Sequence, residues 1–408
     1  MQASTRHAFT AVLVAALGYF VDIYDLILFA VIRKASLTDI GITAADDLKS
    51  VGAAVMNSQM IGMLAGGILW GVLGDKRGRR SVLFGSILLY SLANLANAAV
   101  QGVTSYMVLR FIAGVGLAGE LGAGVTLVSE LMKKEHRGYG TTLVAAVGAF
   151  GAIVANQVSK HFDWRAAYVV GGVMGIALLL LRIGTFESGM FERVKEGTAQ
   201  RGDFLCLFRG ARRLRLYLCV ILIGIPIWYI VGILMQFSPE IGTALGLPEP
   251  PVAGNAVQWC YLGLAVGGVG SGLLSQALKS RRRVVLLFLL LSAATCAAYF
   301  TLGRQSLAAF YSCCFAAGVS TGYWAVFVTL AAEQFGTNIR ATVATTAPNF
   351  VRGFLTVQLV TFTSLQSSGM SIVTAAILVG IGSIAIALLA LVPIHETFGR
   401  DLDFTEAA

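Results

Sequence analysis

The chain of 408 residues is 57% hydrophobic and only 12% charged, with a mean hydropathy of +0.78. Soluble domains are about half apolar and about one quarter charged, so these values exclude a soluble globular protein and indicate a protein embedded in lipid. The net charge of +9 comes with basic residues that cluster in alternate loops, which indicates membrane orientation and argues against a nucleic-acid partner.

Windows of about 20 apolar residues, separated by short polar breaks, predict twelve transmembrane helices. The first window, from about Ala8 to Ile32, carries Asp22 and Asp25, so it is too long and too acidic for a cleaved signal peptide and is interpreted as the first helix. The predicted spans cover residues 8–32, 51–74, 81–100, 105–131, 138–159, 166–186, 215–238, 253–278, 284–302, 306–332, 341–366 and 370–392.

Basic residues are concentrated in the loops after the second, fourth, sixth and eighth spans, which predicts that both termini are cytoplasmic. The segment from Gly66 to Phe84 aligns without gaps on the segment from Gly270 to Phe288, which indicates two duplicated halves. We therefore predict a six-helix bundle over 1–186, a cytoplasmic linker over 187–214, a second six-helix bundle over 215–392 and a cytoplasmic tail over 393–408.

The loop between the second and third spans reads GVLGDKRGRR, from Gly71 to Arg80. This loop resembles the signature of the major facilitator superfamily, and together with the twelve spans and the duplicated halves the resemblance covers essentially the whole chain. It implies an all-α membrane protein with two pseudo-symmetric bundles around a central cavity that opens to alternate sides. It also implies that contacts made by this loop latch the outward-facing state.

Two helices are similar to those of proton-coupled symporters of metabolites, organic acids, sugars and phosphate. The first span reads GYFVDIYDLILFAVI and the fourth reads RFIAGVGLAGELGAG, and the segment ESGMFERVK after the sixth span is also similar to this group. The fifth span lacks the Gly-Pro signature of drug/proton antiporters, which makes drug export a weaker interpretation.

Charged side chains inside the predicted spans are candidate functional residues, because a charge in mid-bilayer costs at least about 2.5 kcal/mol. Asp22 and Asp25 are three residues apart on one helix, so double ionisation is unfavourable and one of them is expected to hold a proton. In similar sugar/proton symporters a first-helix Asp pairs with a fourth-helix Arg, which implies a pair between Asp22 or Asp25 and Arg110. The alternative is a permanent structural ion pair. Glu120 is a second candidate proton carrier, with a helix-packing hydrogen bond as the alternative.

Arg352 is predicted near mid-membrane in the eleventh span, where its planar guanidinium suits a carboxylate or phosphate. An anionic substrate is therefore predicted, and the alternative is a pair with another buried acid. Asn349 lies one turn earlier on the same face. The seventh and tenth spans add aromatic and amide side chains, for which both cavity lining and a lipid-facing position stay open: Trp228, Tyr229, Gln236, Tyr323 and Trp324.

Charged residues at the inner ends of the spans are predicted to gate the two halves by forming and breaking ion pairs. A solvated face, or a role in topology alone, is the alternative for them. The predicted gating residues are Asp75, Arg77, Arg79, Glu130, Arg137, Glu333 and Arg340.

These features favour a proton-coupled symporter of a small organic anion, with a facilitator, an exporter or a non-transporting receptor on the same fold as alternatives. No metal-ligand pair, nucleophile elbow or phosphate-binding loop is found in the sequence, so neither enzymatic activity nor a cofactor is expected. The expected partners are protons, a small solute and the lipid bilayer. We expect a monomer in a bacterial inner membrane.

Overall fold

In a computed structural model of the protein, the described residues are 5–77, 79–120, 137–186 and 207–399, and their regular structure is entirely helical. The first part of the chain contains mostly long helices. This agrees with its long apolar runs, which are separated by short polar breaks. These helices are α1 (Thr5–Asp39), α2 (Ala45–Arg77), α3 (Arg79–Asn97), α4 (Val103–Leu117), α5 (Arg137–His161) and α6 (Trp164–Phe186).

The second part contains more interrupted helices. α7 contains Pro226 and continues as a π-helix from Ile230 to Met235, because proline removes a backbone donor and disturbs the regular ladder. The helices of this part are α7 (Ala211–Tyr229), α8 (Ser238–Ala244), α9 (Ala253–Ala277), α10 (Arg281–Thr301), α11 (Leu307–Thr321), α12 (Trp324–Glu333), α13 (Thr337–Gly353), α14 (Leu355–Ser367) and α15 (Ile372–Leu391).

Eight helical segments of the described residues are long and apolar enough to cross a membrane. Two shorter apolar helices, Ser81–Asn97 and Val103–Leu117, accompany them. The eight segments are Val12–Asp39, Ala45–Leu73, Trp164–Ile183, Ala211–Met235, Ala253–Ala277, Arg281–Gln305, Leu307–Glu333 and Ile372–Leu391.

Close helix approach at glycine recurs in the two parts of the chain. A Cβ atom on Gly114 of α4 would lie 2.2 Å from the carbonyl oxygen of Gln59 in α2. In the second part, a Cβ atom on Gly318 of α11 would lie 1.9 Å from the carbonyl oxygen of Cys260 in α9. Small residues let membrane helices approach backbone to backbone, so equivalent helix pairs pack in the same way in both parts.

The two parts meet along a long interface in which α2 packs against α13 and α14, and α5 packs against α9. α1 lies at the centre of the molecule, and most of its side chains from Val12 to Leu37 are buried. Charged residues on α1 and α13 therefore face each other in the interior rather than lipid.

Candidate functional site

A buried ion pair joins the two parts of the protein. Asp22 on α1 and Arg352 on α13 lie with Oδ2 and Nη2 3.4 Å apart, and both side chains are 0% exposed. The Asp22 Oδ1 atom and the Arg352 Nε and Nη1 atoms have no hydrogen-bond partner among the described residues. The pair therefore holds two charges together while it leaves hydrogen-bonding capacity on both sides unused.

Two indole rings flank the Arg352 guanidinium. Its Cζ atom lies 5.7 Å from the ring centroid of Trp228 and 5.8 Å from that of Trp324. Both distances are in the range of a cation–π interaction, which partly compensates the charge in the absence of water. The Trp324 indole N–H also donates a 3.0 Å hydrogen bond to the Tyr19 hydroxyl, which fixes this ring against α1.

A narrow cavity lies beside this pair, between the two parts of the chain. Its volume, measured for the centre of a water-sized sphere, is about 20 Å³, which is enough for one water molecule. The conformation is therefore closed around the centre of the molecule. The lining side chains are Tyr19, Ile23, Ala149, Ile227, Trp228, Val231, Tyr261, Leu264 and Trp324.

The predicted pair between Arg110 and a first-helix carboxylate is not formed in this conformation. Arg110 donates from Nη2 to the backbone carbonyl of Asp25 at 3.2 Å and from Nη1 to Asn94 Oδ1 at 3.5 Å, and it lies over the Tyr168 ring. Neither carboxyl oxygen of Asp25 has a hydrogen-bond partner among the described residues. In this conformation Asp22 instead meets Arg352 on the opposite part of the chain.

Glu120 forms a bidentate ion pair that the sequence analysis did not foresee. Its two carboxylate oxygens accept from Nη1 and Nη2 of Arg182 on α6, with a distance of 3.1 Å for the Nη1 contact. Both side chains are about 1% exposed. Arg182 was missed because it lies near the end of its span, where a basic residue usually marks topology.

Asn349 connects α13 to the end of α4. Its side-chain N–H groups donate to the backbone carbonyls of Ala118 at 2.7 Å and of Thr345 at 2.8 Å, and only Oδ1 stays without a partner. One amide N–H thus bonds across the interface to the first part of the chain, and the other bonds within α13.

Two tyrosines predicted as cavity candidates face away from the cavity. The Tyr229 hydroxyl donates to the Ala376 carbonyl in α15 at 2.8 Å, and the Tyr323 hydroxyl donates to the Ile223 carbonyl in α7 at 2.9 Å. Each hydroxyl is used for helix packing within the second part of the chain. Gln236 is buried, and neither polar atom of its amide has a partner among the described residues.

One predicted gating residue forms an ion pair within its own part of the chain. Glu333 accepts from Arg281 Nε at 2.7 Å and from Nη2 at 3.0 Å. The physical reason is that α10 begins beside the end of α12. Glu130 lies outside the described residues, and so do the side chains of Asp75, Arg77, Arg79, Arg137 and Arg340.

Polar contacts close the molecule at the end where α1 terminates. Arg33 of α1 contacts Glu240 of α8 at 2.6 Å. At the same end, Asn156 and Gln157 of α5 donate to Gln258 Oε1 of α9 at 2.7 and 2.8 Å. All of these contacts cross between the two parts of the chain, so they must break if this end opens.

Comparison with known proteins finds similarity to membrane transporters. A family model described as Major Facilitator Superfamily matches residues 9–354. The 3-(3-hydroxy-phenyl)propionate transporter of Escherichia coli is 27% identical over 303 residues, which are 72% of each chain. The niacin transporter NiaP of Acinetobacter baylyi is 33% identical over 177 residues.

The sequence matches with the two more identical relatives cover less than half of each protein. The alignment with the niacin transporter covers 42% of this chain and only 39% of that protein, and a protein of Haemophilus influenzae that is 31% identical is covered over 48% of its length. A solved structure of the proton:xylose symporter XylE superimposes with a TM-score of 0.71 over 98% of both chains at 16% identity. That likeness shows the fold alone.

Proposed function

Because the chain belongs to the major facilitator superfamily of membrane transporters, we propose that it is a secondary active transporter that carries a small organic anion together with a proton. The superfamily prediction from the sequence is confirmed, and the family is not enzymatic. The observation that supports the finer proposal is the Asp22–Arg352 pair between α1 and α13.

The first step concerns the charge of Arg352. A guanidinium that is 0% exposed needs a negative partner, because an uncompensated buried charge costs several kcal/mol. Asp22 is that partner in the closed conformation. A substrate carboxylate or phosphate can take its place on the guanidinium, which also has unused donors at Nε and Nη1.

The second step concerns the proton. If the substrate anion occupies Arg352, an ionised Asp22 would be a second negative charge beside it and would lose its own partner. Protonation of Asp22 removes this charge, so anion and proton enter the site together. The site is then as neutral when loaded as when empty, which permits reorientation through a low-dielectric centre.

Asp25 is the second candidate acid for this role. It lies one helical turn further along α1, and its carboxyl oxygens have no hydrogen-bond partner in the part of the chain that the structure describes. Arg110 and Asn94 are its polar neighbours. In this proposal Asp22 takes up a proton when the substrate anion binds Arg352. Asp25 relays protons between Asp22 and the predicted outer side.

Alternating access is part of the same proposal. In it the chain forms twelve spans with both termini in the cytoplasm of a bacterium, and the two parts of the chain rock about α1, α5, α9 and α13. Support comes from the contacts of Arg33 and Gln258, which close the end predicted to face outward.

The relatives support an anionic substrate. The two relatives named above are described as transporters of niacin and of 3-(3-hydroxy-phenyl)propionate, and both compounds carry a carboxylate. The buried guanidinium of Arg352, beside the cavity, is the group that would bind a carboxylate here.

Uptake into proteoliposomes under an inwardly directed pH gradient tests the proposal. Panels of carboxylates, phosphate and sugars are compared for the wild type, Asp22→Asn, Asp25→Asn and Arg352→Ala, with the exposed residues Asp39→Asn and Arg304→Ala as matched controls. We expect gradient-driven anion uptake that Asp22→Asn uncouples and Arg352→Ala abolishes, with both controls unchanged. Anion uptake that ignores the gradient would instead indicate a facilitator, and binding without any counterflow would indicate a receptor.

A further inference from the structure

The walls of the central cavity are aromatic and aliphatic on all described sides. Four rings, those of Tyr19, Trp228, Tyr261 and Trp324, are combined with five aliphatic side chains. The polar atoms of these lining side chains are two phenol oxygens and two indole nitrogens. A ligand in this position therefore contacts hydrocarbon and ring faces over most of its surface.

One of the few polar groups beside the cavity is held in a fixed orientation by these rings. The Arg352 guanidinium lies against the rings of Trp228 and Trp324, and its Nε and Nη1 atoms have no hydrogen-bond partner among the described residues. The indole N–H of Trp228 is also buried and without a partner among the described residues. Strong anion binding is thus concentrated at one point of an otherwise apolar site.

We propose that the substrate is an aromatic monocarboxylate with a single ring, whose carboxylate binds Arg352 and whose ring packs against the Trp228 and Trp324 rings where they line the cavity. This inference rests on the function proposed above and narrows it. Flat rings prefer stacked or edge-to-face contact with indoles, and such pairs add binding beyond the buried area. The Tyr19–Trp324 hydrogen bond holds one of these indoles in place from α1.

The same walls disfavour the other substrate classes that the fold accommodates. A cyclic monosaccharide has four or five hydroxyl groups, and each hydroxyl left without a partner in a dry site costs about 1–3 kcal/mol. A dicarboxylate or a phosphate dianion brings a second charge. Two other buried guanidinium groups already have partners: Arg182 is bonded to Glu120 through both terminal nitrogens, and Arg110 is bonded to Asn94 and to the Asp25 backbone. The similarity of fold to a xylose symporter therefore gives no argument for a sugar substrate here.

The test compares benzoate with cyclohexanecarboxylate, which has the same size and charge but no π-face. Competition of each against the transported anion is measured in proteoliposomes for the wild type, Trp324→Leu and Trp228→Leu. Trp324→Phe keeps a ring, and Trp259→Leu changes a tryptophan that is 42% exposed on the outside of α9 and serves as the control. Monodispersity by size exclusion shows that each variant is folded.

We expect the wild type to prefer benzoate by about 3- to 10-fold, which is the contribution of one aromatic pair. The preference should fall toward 1 in both leucine variants, stay mostly intact in Trp324→Phe and stay unchanged in Trp259→Leu. Equal competition by benzoate and cyclohexanecarboxylate, or a preference that both leucine variants keep, overturns the aromatic class while carboxylate transport stands. Absence of gradient-driven uptake of any carboxylate removes the proposed function itself, and this inference with it.

Discussion

Glu120 and Arg182 form a bidentate pair: both carboxylate oxygens of the acid accept from the two terminal nitrogens of the guanidinium, only Arg182 Nε of the pair has no partner among the described residues, and neither side chain is more than about 1% exposed. This geometry separates the pair from the Asp22–Arg352 pair, in which three polar atoms have no partner among the described residues. A pair whose carboxylate is bonded through both oxygens is suited to a fixed charge, and a pair with unused atoms on both the acid and the guanidinium is suited to exchange of partners. We therefore assign Glu120 to structure and Asp22 to coupling.

The first prediction is a double-mutant test of this assignment. Glu120→Leu or Arg182→Met alone leaves an unpaired buried charge and should destabilise the protein by about 3–5 kcal/mol, whereas the double variant should recover most of its stability. The measurement is the thermal unfolding temperature in detergent. The double variant should also retain pH-driven uptake, and a stable double variant without pH dependence would make Glu120 the proton carrier.

A second prediction concerns Gly18, which faces the same ion pair. A Cβ atom at this position would lie 2.1 Å from both Arg182 Nη2 and Glu120 Oε1, so even alanine must displace the pair. Gly18→Ala should lower the unfolding temperature clearly. Gly382→Ala is the matched control, because nothing lies within 4 Å of its added Cβ, and this helical position should tolerate or favour alanine. Equal stability of the two variants would show that the Glu120–Arg182 pair can shift without loss.

A third prediction concerns the closed end of the molecule. Glu240→Gln removes the partner of Arg33 and should shift the population toward an open cavity by about two- to fivefold, the effect of an ion pair worth up to about 1 kcal/mol. A cysteine at the cavity-lining Ala149, in a background without other cysteines, reports this opening through its rate of alkylation by an impermeant maleimide. Glu249→Gln on the exposed loop should leave the rate unchanged, and Arg33→Glu with Glu240→Arg should restore it. An unchanged rate in Glu240→Gln would mean that the Arg33 contact does not close the cavity.

A fourth prediction concerns pH and Glu396, which lies after the last helix. Partial burial opposes ionisation, but hydrogen bonds from the Ser280 hydroxyl and from the backbone N–H groups of Arg281 and Phe398 hold the pKa of this carboxyl below its ordinary value of 4.5. A lowered folded-state pKa gives stability that is fully present above pH 4.5 and is lost as the pH falls through the folded pKa.

Glu396→Gln should therefore lower the unfolding temperature at pH 7, with an effect below about 1 kcal/mol because solvent reaches the group. The gap in unfolding temperature between Glu396→Gln and the wild type should close as the pH is lowered under 4.5. Glu249→Gln, at an exposed position, should show no gap at any pH. A gap that persists at low pH would indicate that the side chain acts through packing rather than charge.

Much of the fold could be predicted because apolar length and basic loops are properties of single segments. The pairing of charges could not, because Asp22 and Arg352 are brought together only by packing of α1 on the far part of the chain. Trp228 and Tyr229 show the same limit: neighbours on a helix point about 100° apart, and the sequence does not decide which one faces the cavity. Buried arginines near a span end, such as Arg182, resemble topology signals until their partner is known.

The central claim is that Asp22 and the substrate anion compete for Arg352, and proton uptake on binding tests it most directly. Titration calorimetry of the transported anion at pH 7, in buffers of different ionisation enthalpy, gives the number of protons bound per anion. The account predicts about one proton for the wild type and for Asp39→Asn, and none for Asp22→Asn. Anion binding without proton uptake in the wild type, or equal uptake in Asp22→Asn, would contradict it.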